Sequence, residues 1–362
     1  MIVKHIVGKK TSRKIIVFES DDWGSFRFKN KAIRNHYMPK PKLGQWMHYN
    51  DCFESFEDLV SLENVLNSVK DKNENPACFT FLMNPANPDF EKIEAHNFKA
   101  YYYETFSQSL QNRKDGLQIL NWYKVAIKNR LIEIGFHGRE HLNVHSWMNA
   151  LANGNEIVKD GFKNRIWGQA KLHTKEKKMS FRSTFSIENK SELEYLKISI
   201  KEGLDVMCKT FDRKPTYFLP PDGPYHLALN KTLAENGIKY IGLAKLHNNP
   251  LEPKWYQTKP FWLGKKTKEG LCVITRNVMF EPSSPKHNDW VNFGLQQIEE
   301  AFKYRNPAVI STHRANYMSG LNFNNREQAL VQLKELLRQI TKKWPHVEFM
   351  TSSQLGETIA AG

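Results

Sequence analysis

The chain has 362 residues, a formal net charge of +15, 40% hydrophobic and 12% aromatic residues, and four cysteines. That composition can bury a sizeable core and excludes an intrinsically disordered chain, while the length suits one large domain or two ordinary ones. The basic charge is spread thinly, with small clusters at 9–14 and 171–178 and no RNP-type signature, zinc finger or long basic helix, so nucleic acid is not an expected partner; a solvated basic surface or an anionic substrate accounts for it.

The first apolar run, KIIVF at 14–18, is followed by Asp21, Asp22, Trp23 and Gly24. After it, 38–53 carries Pro39, Pro41 and Gly44 and reads as a long loop. Apolar residues close to a 3.6 period, from Phe56 to Val69, predict a helix over 56–70. ACFTFLM at 77–83 is the second strand and ends at Asn84. A helix over 117–128 leads into LIEIGF at 131–136, which ends in FHGREHL with His137 and His141. The basic stretch 143–185, rich in Asn, Lys and His, reads as a second irregular insertion, and both insertions are expected around the mouth of a site. A helix over 191–210 precedes PTYFL at 215–219, and the loop PPDGPY follows it.

Further strands are KYIGLA at 239–244, LCVITR at 271–276, PAVIST at 307–312 and HVEFM at 346–350, with helices over 226–236, 288–304 and 325–343. Each apolar run has the length of a buried strand. Strands alternating with helices imply parallel βαβ units, and about eight of them in one chain favour a (β/α) barrel of seven or eight strands. The expected organisation is a single domain over 1–362 with a core at about 14–350.

Cys52, Cys78, Cys208 and Cys272 have no metal-ligand spacing. Cys78 and Cys272 lie in apolar runs, where a free thiol behaves as a small hydrophobe, as suits a reducing compartment. The opening MIVKHIVGKKTSRK is too polar for a signal peptide, and no run approaches the roughly 18 apolar residues of a membrane span. A cytoplasmic protein without membrane insertion is expected.

In a parallel barrel the C-terminal strand ends gather at one face, where active sites lie. The polar residues that follow the strands should therefore meet: Asp21, Asp22, Asn84, His137, His141, the PPDG loop, Asn277, Glu281 and His313. His137 and His141 are four apart, and on a helical turn both imidazoles would share one face. Two His with a carboxylate such as Asp22, leaving a position for water, is a common catalytic zinc environment. Taken alone, HxxxH is equally a pair of surface histidines, the Asp pair a helix N-cap or turn, and His313 a buried, hydrogen-bonded residue. The position of all of them at strand ends favours chemistry. A cation on Asp22 would let Asp21 stay ionised as a base, and His313 beside it would be a natural general acid.

The order of these motifs resembles the NodB-like polysaccharide deacetylases, carbohydrate esterase family 4, over roughly 14–350. In that family an Asp-Asp motif follows the first strand, an H-[ST]-x-x-H motif a later one, then an R-P-P-Y-G-like loop and a late strand ending in His. The resemblance implies Asp21 as catalytic base, Asp22, His137 and His141 as ligands of a divalent metal with Zn²⁺ foremost, and His313 as catalytic acid. FLPPDG matches the loop and gives Pro221, Asp222 and Gly223 to substrate binding, the Asp222 N–H facing the oxyanion. Three departures stand out: Trp23 intervenes between the acids and Gly24, Gly138 takes the Ser/Thr position, and Leu219 replaces the arginine that braces the catalytic Asp. Arg314 is the expected replacement, with Arg139 and Arg276 as alternatives. Asn277 and Glu281 are expected to bind substrate or brace the site, although Glu281-Pro282 also reads as an ordinary turn. Asn84 and Trp23 are further substrate contacts, with Trp46 and Trp147 stacking on sugar rings.

The expected activity is metal-dependent removal of an acetyl group, N-acetyl first, from a sugar or polysaccharide precursor. An anionic or pyrophosphate-linked glycan would suit the basic charge. The alternatives are a carbohydrate-binding protein that has lost turnover, for which Leu219 speaks, and a non-haem iron enzyme, which the βα alternation opposes.

Overall fold

A computed structural model describes residues 7–38, 49–167, 172–173, 178–252 and 255–361. Its centre is a sheet of nine strands: β1 (Lys14–Trp23), β2 (Phe79–Met83), β3 (Ile132–Phe136), β4 (Tyr217–Phe218), β5 (Tyr240–Gly242), β6 (Cys272–Ile274), β7 (Val278–Met279), β8 (Ala308–His313) and β9 (Val347–Phe349). Every pairing is parallel, in the order β6-β5-β4-β3-β2-β1-β8-β7, and β9 pairs with the first residues of β1. The end strands β6 and β7 are joined by Thr275, Arg276 and Asn277 alone. Four residue steps span at most about 14 Å, so the two ends of the sheet are held near each other and it curls towards a ring.

The crossovers are helical: α1 (Phe56–Asn67), α2 (Gly116–Lys128), α3 (Glu192–Phe211), α4 (Asn230–Glu235), α5 (Trp290–Lys303) and α6 (Phe323–Lys343). α1 starts at a reciprocal capping box, in which Ser55 and Asp58 each satisfy the other's backbone N–H. It buries Leu59, Leu62 and Leu66, the inward stripe of its 3.6 period. A last helix, α7 (Ser352–Ala361), places Leu355 and Ile359 in the cluster inside the ring.

Residue parity along β1 decides what enters the ring. Ile15 and Val17 belong to the interior cluster with Leu82, Tyr217, Ile274 and Val309, whereas Ile16 and Phe18 join the outer layer beneath the helices. Side chains alternate along a strand, so Glu19 and Asp21 also face inward. On β8 the same rule sends Val309, Ser311 and His313 inward, and these pair in register with Val17, Glu19 and Asp21.

Eight of the nine strands and all the long helices fall where the sequence predicts them. The eighth apolar run is β9, and β1 continues five residues past its apolar stretch, through the acids. The two-residue β7 is too short for any periodicity to mark. The hairpin Leu246–Glu252/Trp255–Pro260, which no sequence expectation covers, pairs antiparallel outside the sheet. The insertion 143–185 is more ordered than expected. It carries helices Val144–Ala152 and Glu156–Lys163 and its own apolar cluster of Trp147, Phe162, Trp167 and Phe181.

Candidate active site

Alternation alone would send Asp22 outward, away from Asp21. The backbone at Asp22 instead adopts φ +75°, and the β1–β2 register shifts between Ser20 and Trp23. This bulge adds a residue and re-aims the side chain, so both carboxylates line one cavity of about 970 Å³. Gly24 completes the turn at φ +76°, where a Cβ would lie 2.7 Å from the Asn84 carbonyl oxygen, so no larger residue fits.

His137 and His141 converge on Asp22 Oδ1 with their Nε2 atoms at 3.5 and 3.2 Å. The loop that carries them is not a helical turn, as the spacing suggested. It bends at Gly138, φ +89°. His137 Nδ1 donates to the Leu219 carbonyl at 2.7 Å, which leaves the Nε2 lone pair facing Asp22. Asn84 Nδ2 donates to the His137 and Gly138 carbonyls at 2.6 and 3.2 Å and fixes the loop. Among the described residues, Asp22 Oδ1 and His141 Nδ1 are buried without a hydrogen-bond partner. One ligand atom from each of Asp22, His137 and His141 lies within 4.8 Å of the others. An orphaned carboxylate oxygen facing two imidazole nitrogens is the donor set of a two-His, one-carboxylate cation site, and the residues fit a divalent metal. Burial would raise the Asp22 carboxyl, but the two histidines hold it well below the usual carboxylate range.

Arg276, between β6 and β7, donates to Asp21 with both Nη atoms, Nη1 to Oδ2 at 2.7 Å and Nη2 to Oδ1. Its Nε donates to Glu19 at 2.6 Å, and Nη1 also reaches Ser311 Oγ at 2.9 Å. Burial pushes the Asp21 pKa up, yet the guanidinium outweighs it and keeps the carboxyl below its ordinary value. The expectation that Arg314 braces Asp21 is therefore corrected. Arg314 follows the inward-facing His313, opens the 3-10 turn Arg314–Tyr317 after β8, lies fully buried, and pairs with Asp51 and, at 2.8 Å, with Glu54. Arg139 is also spent elsewhere, on Glu140 and Glu202.

His313 Nδ1 meets Glu281 Oε1 at 2.6 Å, and its Nε2 stands 3.9 Å from Asp21 Oδ2. Burial would lower its pKa, but the Glu281 carboxylate prevails and pushes it up to about 10. Asn316 donates to the second Glu281 oxygen at 2.7 Å and holds that carboxylate in place.

The remaining expected contacts divide. Asp222 and Gly223 line the cavity, whereas Pro221 is buried and its neighbour Pro220 takes the lining position. Asn277 borders the cavity, but its amide bridges the Pro307 carbonyl and the Val309 N–H across to β8. Trp23 is fully buried, stacked on Phe81 with ring centroids 3.6 Å apart, and Trp147 packs against Phe90 and Phe162; neither ring is available to a sugar. Asn84 is fully buried and holds backbone, and Glu281 braces His313. Trp46 lies outside the described residues. The cavity is also bordered by Arg27, Arg182 and Trp262, which no local sequence pattern marks.

Fold and site together define an irregular parallel (β/α) barrel with a buried Asp22-His137-His141 cluster, of a composition that fits a divalent cation, at the C-terminal strand ends. No protein-family model matches this sequence, and no curated protein matches it. Among solved structures, the "putative glycoside hydrolase/deacetylase" from Parabacteroides distasonis aligns with a TM-score of 0.51 at 9% identity, over 96% of this chain and 71% of that one. The "putative polysaccharide deacetylase" from Mycobacterium smegmatis aligns over 98% and 93% at 11% identity and a TM-score of 0.46. The "probable Polysaccharide deacetylase" from Pseudomonas aeruginosa PAO1 aligns over 96% and 91% at 10% identity and a TM-score of 0.47. At these identities the likeness is one of fold alone, a parallel (β/α) barrel with much divergence in sequence.

Proposed function

We propose that this chain is a metal-dependent hydrolase that removes an acetyl group, N-acetyl first, from a sugar or glycan. The observation that carries the reading is the buried, unpartnered Asp22 Oδ1 facing His137 and His141, one residue from an Asp21 in register with His313. A divalent cation held there, Zn²⁺ by the chemistry of its donors, would supply positive charge for the acyl oxygen and acidify a neighbouring water.

The chain's own groups have matching tasks. Asp21, kept ionised and oriented by Arg276, accepts the proton of the attacking water. The Asp222 backbone N–H donates to the oxygen that gains charge as the carbonyl carbon becomes tetrahedral. His313, protonated through Glu281, gives a proton to the departing amine, so that water is divided between acetate and amine. The substitution of Leu219 for the family's arginine favours a binding protein without turnover only if Asp21 lacks a brace, and the Arg276 pair supports turnover.

Among the described residues no helix is long and apolar enough to cross a membrane. We assign the protein to the cytoplasm, which suits a precursor of a surface glycan better than a finished wall polymer.

The test compares bound metal and acetate release for the wild type, Asp21→Asn and His141→Ala on N-acetylated sugars. The expected result is a His141→Ala protein without metal and an Asp21→Asn protein that keeps it but loses turnover. Metal retained by His141→Ala would sink the ligand assignment.

A further inference from the structure

The polar and apolar residues of the catalytic cavity are separated around the ring. β1, β3 and β8 bring Asp21, Asp22, His137 and His313 to its wall. β4, β5, β6 and β7, which become neighbours as the ring closes, bring Leu219, Leu243, Ile274 and Val278 from in or just beyond the strands. Leu219 joins the two arcs. Its carbonyl accepts from His137 Nδ1 at 2.7 Å, and its side chain packs against the cluster inside the ring. A Cβ at Gly242 would lie 2.6 Å from Leu219 Cδ1, so the glycine gives this side chain its room.

The apolar arc reaches the surface. Ile274 is 1% exposed, whereas Leu246 and Met279 border the same cavity at 69% and 45% exposure. Single exposed aliphatic residues are ordinary, but these two continue a buried apolar wall outward, as in a ligand groove. Phe261 and Trp262 lie on this side too, with Lys265 Nζ 4.7 and 4.3 Å from their ring centroids. The ammonium covers a face of each ring and leaves less of them for stacking on a sugar. Among the polar neighbours, Arg276 is turned to Asp21 and Gln297 to the Met279 backbone. Lys245 also borders this side, and its long aliphatic stem is compatible with an apolar neighbour. The cavity, at about 970 Å³, is at the upper end of the roughly 300–1,000 Å³ typical of ligand pockets. A hydrophilic sugar gains little from an aliphatic wall, whereas an alkyl chain is driven onto it.

We infer that the arc from Leu219 and Ile274 to Leu246 and Met279 is an alkyl subsite, and that the substrate is an acetylated sugar carrying a lipid chain. The inference rests on the hydrolase reading of the cavity and names its substrate class. The exposed outer end suits a chain joined to the sugar, which continues past the mouth, better than a long acyl group, which would end inside.

The experiment uses the full chain stripped of metal with a chelator, so that binding is read apart from turnover. NMR titrations take methyl and hexyl N-acetyl-β-glucosaminide and N-hexanoylglucosamine as probes, all below micelle-forming concentrations. Each buried methylene adds about fourfold in affinity, so the hexyl glycoside should bind roughly tenfold or more tightly than the methyl glycoside. Leu246→Ser combined with Met279→Ser changes two exposed side chains. It should bring that ratio below about threefold and leave methyl glycoside affinity and circular dichroism unchanged. Equal affinity for the two glycosides in the wild type overturns the subsite, a result that needs no variant to fold. So does a hexyl preference that survives the double substitution in full. N-hexanoylglucosamine binding ahead of the hexyl glycoside overturns the placement of the chain on the sugar. Zn²⁺ titration and acetate release, measured separately, report on the hydrolase reading, and their failure leaves the metal-free hexyl preference standing.

Discussion

Arg276 grips Asp21 with both Nη atoms while its Nε holds Glu19, so one guanidinium bridges two inward-facing acids of the same strand. Replacement by leucine leaves both acids buried without their counter-charge. Arg276→Leu should lower kcat by on the order of 10²-fold, while bound zinc stays near wild type. Arg276→Lys keeps a charge but not the fork and should recover only part of the rate. Full activity in Arg276→Leu would remove Arg276 from the site's chemistry.

Arg314 answers a different test. It is fully buried with Asp51 and Glu54 as partners and does not reach the cavity. Arg314→Met takes the counter-charge from buried Glu54 and one of the two arginines from Asp51, and should cost about 3–5 kcal/mol of stability in urea denaturation. At temperatures where the variant remains folded, its kcat should stay within a few-fold of wild type.

Glu281 sets the charge of His313. A raised folded-state pKa means that the imidazolium is favoured by folding. Its contribution is complete below the ordinary value of 6.5 and is lost as pH rises through about 10. Glu281→Gln removes the main opposing carboxylate, so nitrogen NMR of the His313 ring should report a lower pKa. The alkaline limb of the kcat–pH profile should move to lower pH with it. A limb that stays in place in the variant would take the general-acid role from His313.

Asn84 tests the support of the cation site. Its amide holds the His137 and Gly138 carbonyls and touches no ligand atom. Asn84→Ala should weaken Zn²⁺ binding by about 10–100-fold, read by competition with a chromophoric chelator, while Asp22, His137 and His141 stay unchanged.

The fold was legible because buried parallel strands read as apolar runs and the crossover helices keep a 3.6 period. Asp22, His137, His141 and His313 were legible as polar residues at strand ends, since a ring gathers those ends together. Arg314 adjoins His313 in sequence, but the strand ends at His313, and Arg314 opens a short 3-10 turn that carries its side chain to Asp51 and Glu54. Trp23 fails for a related reason, because the bulge that brings Asp22 inward leaves the indole stacked on Phe81 in the outer layer. Asn84 sits at a strand end, yet its side chain turns back to the neighbouring backbone. Arg276 lies in an unremarkable TRN tripeptide, and only the curling of the sheet makes that tripeptide face Asp21.

The three-residue link between β6 and β7 also constrains how the protein is made. Asp21 and Glu19 are synthesised early, and the guanidinium that neutralises them arrives some 255 residues later in the chain. Until then the two acids repel inside any collapsed intermediate, and their burial is unfavourable. Joining β6 to β7 is what brings Asp21 its counter-charge, and a nascent chain that stops before β6 carries Asp22, His137 and His141 without it.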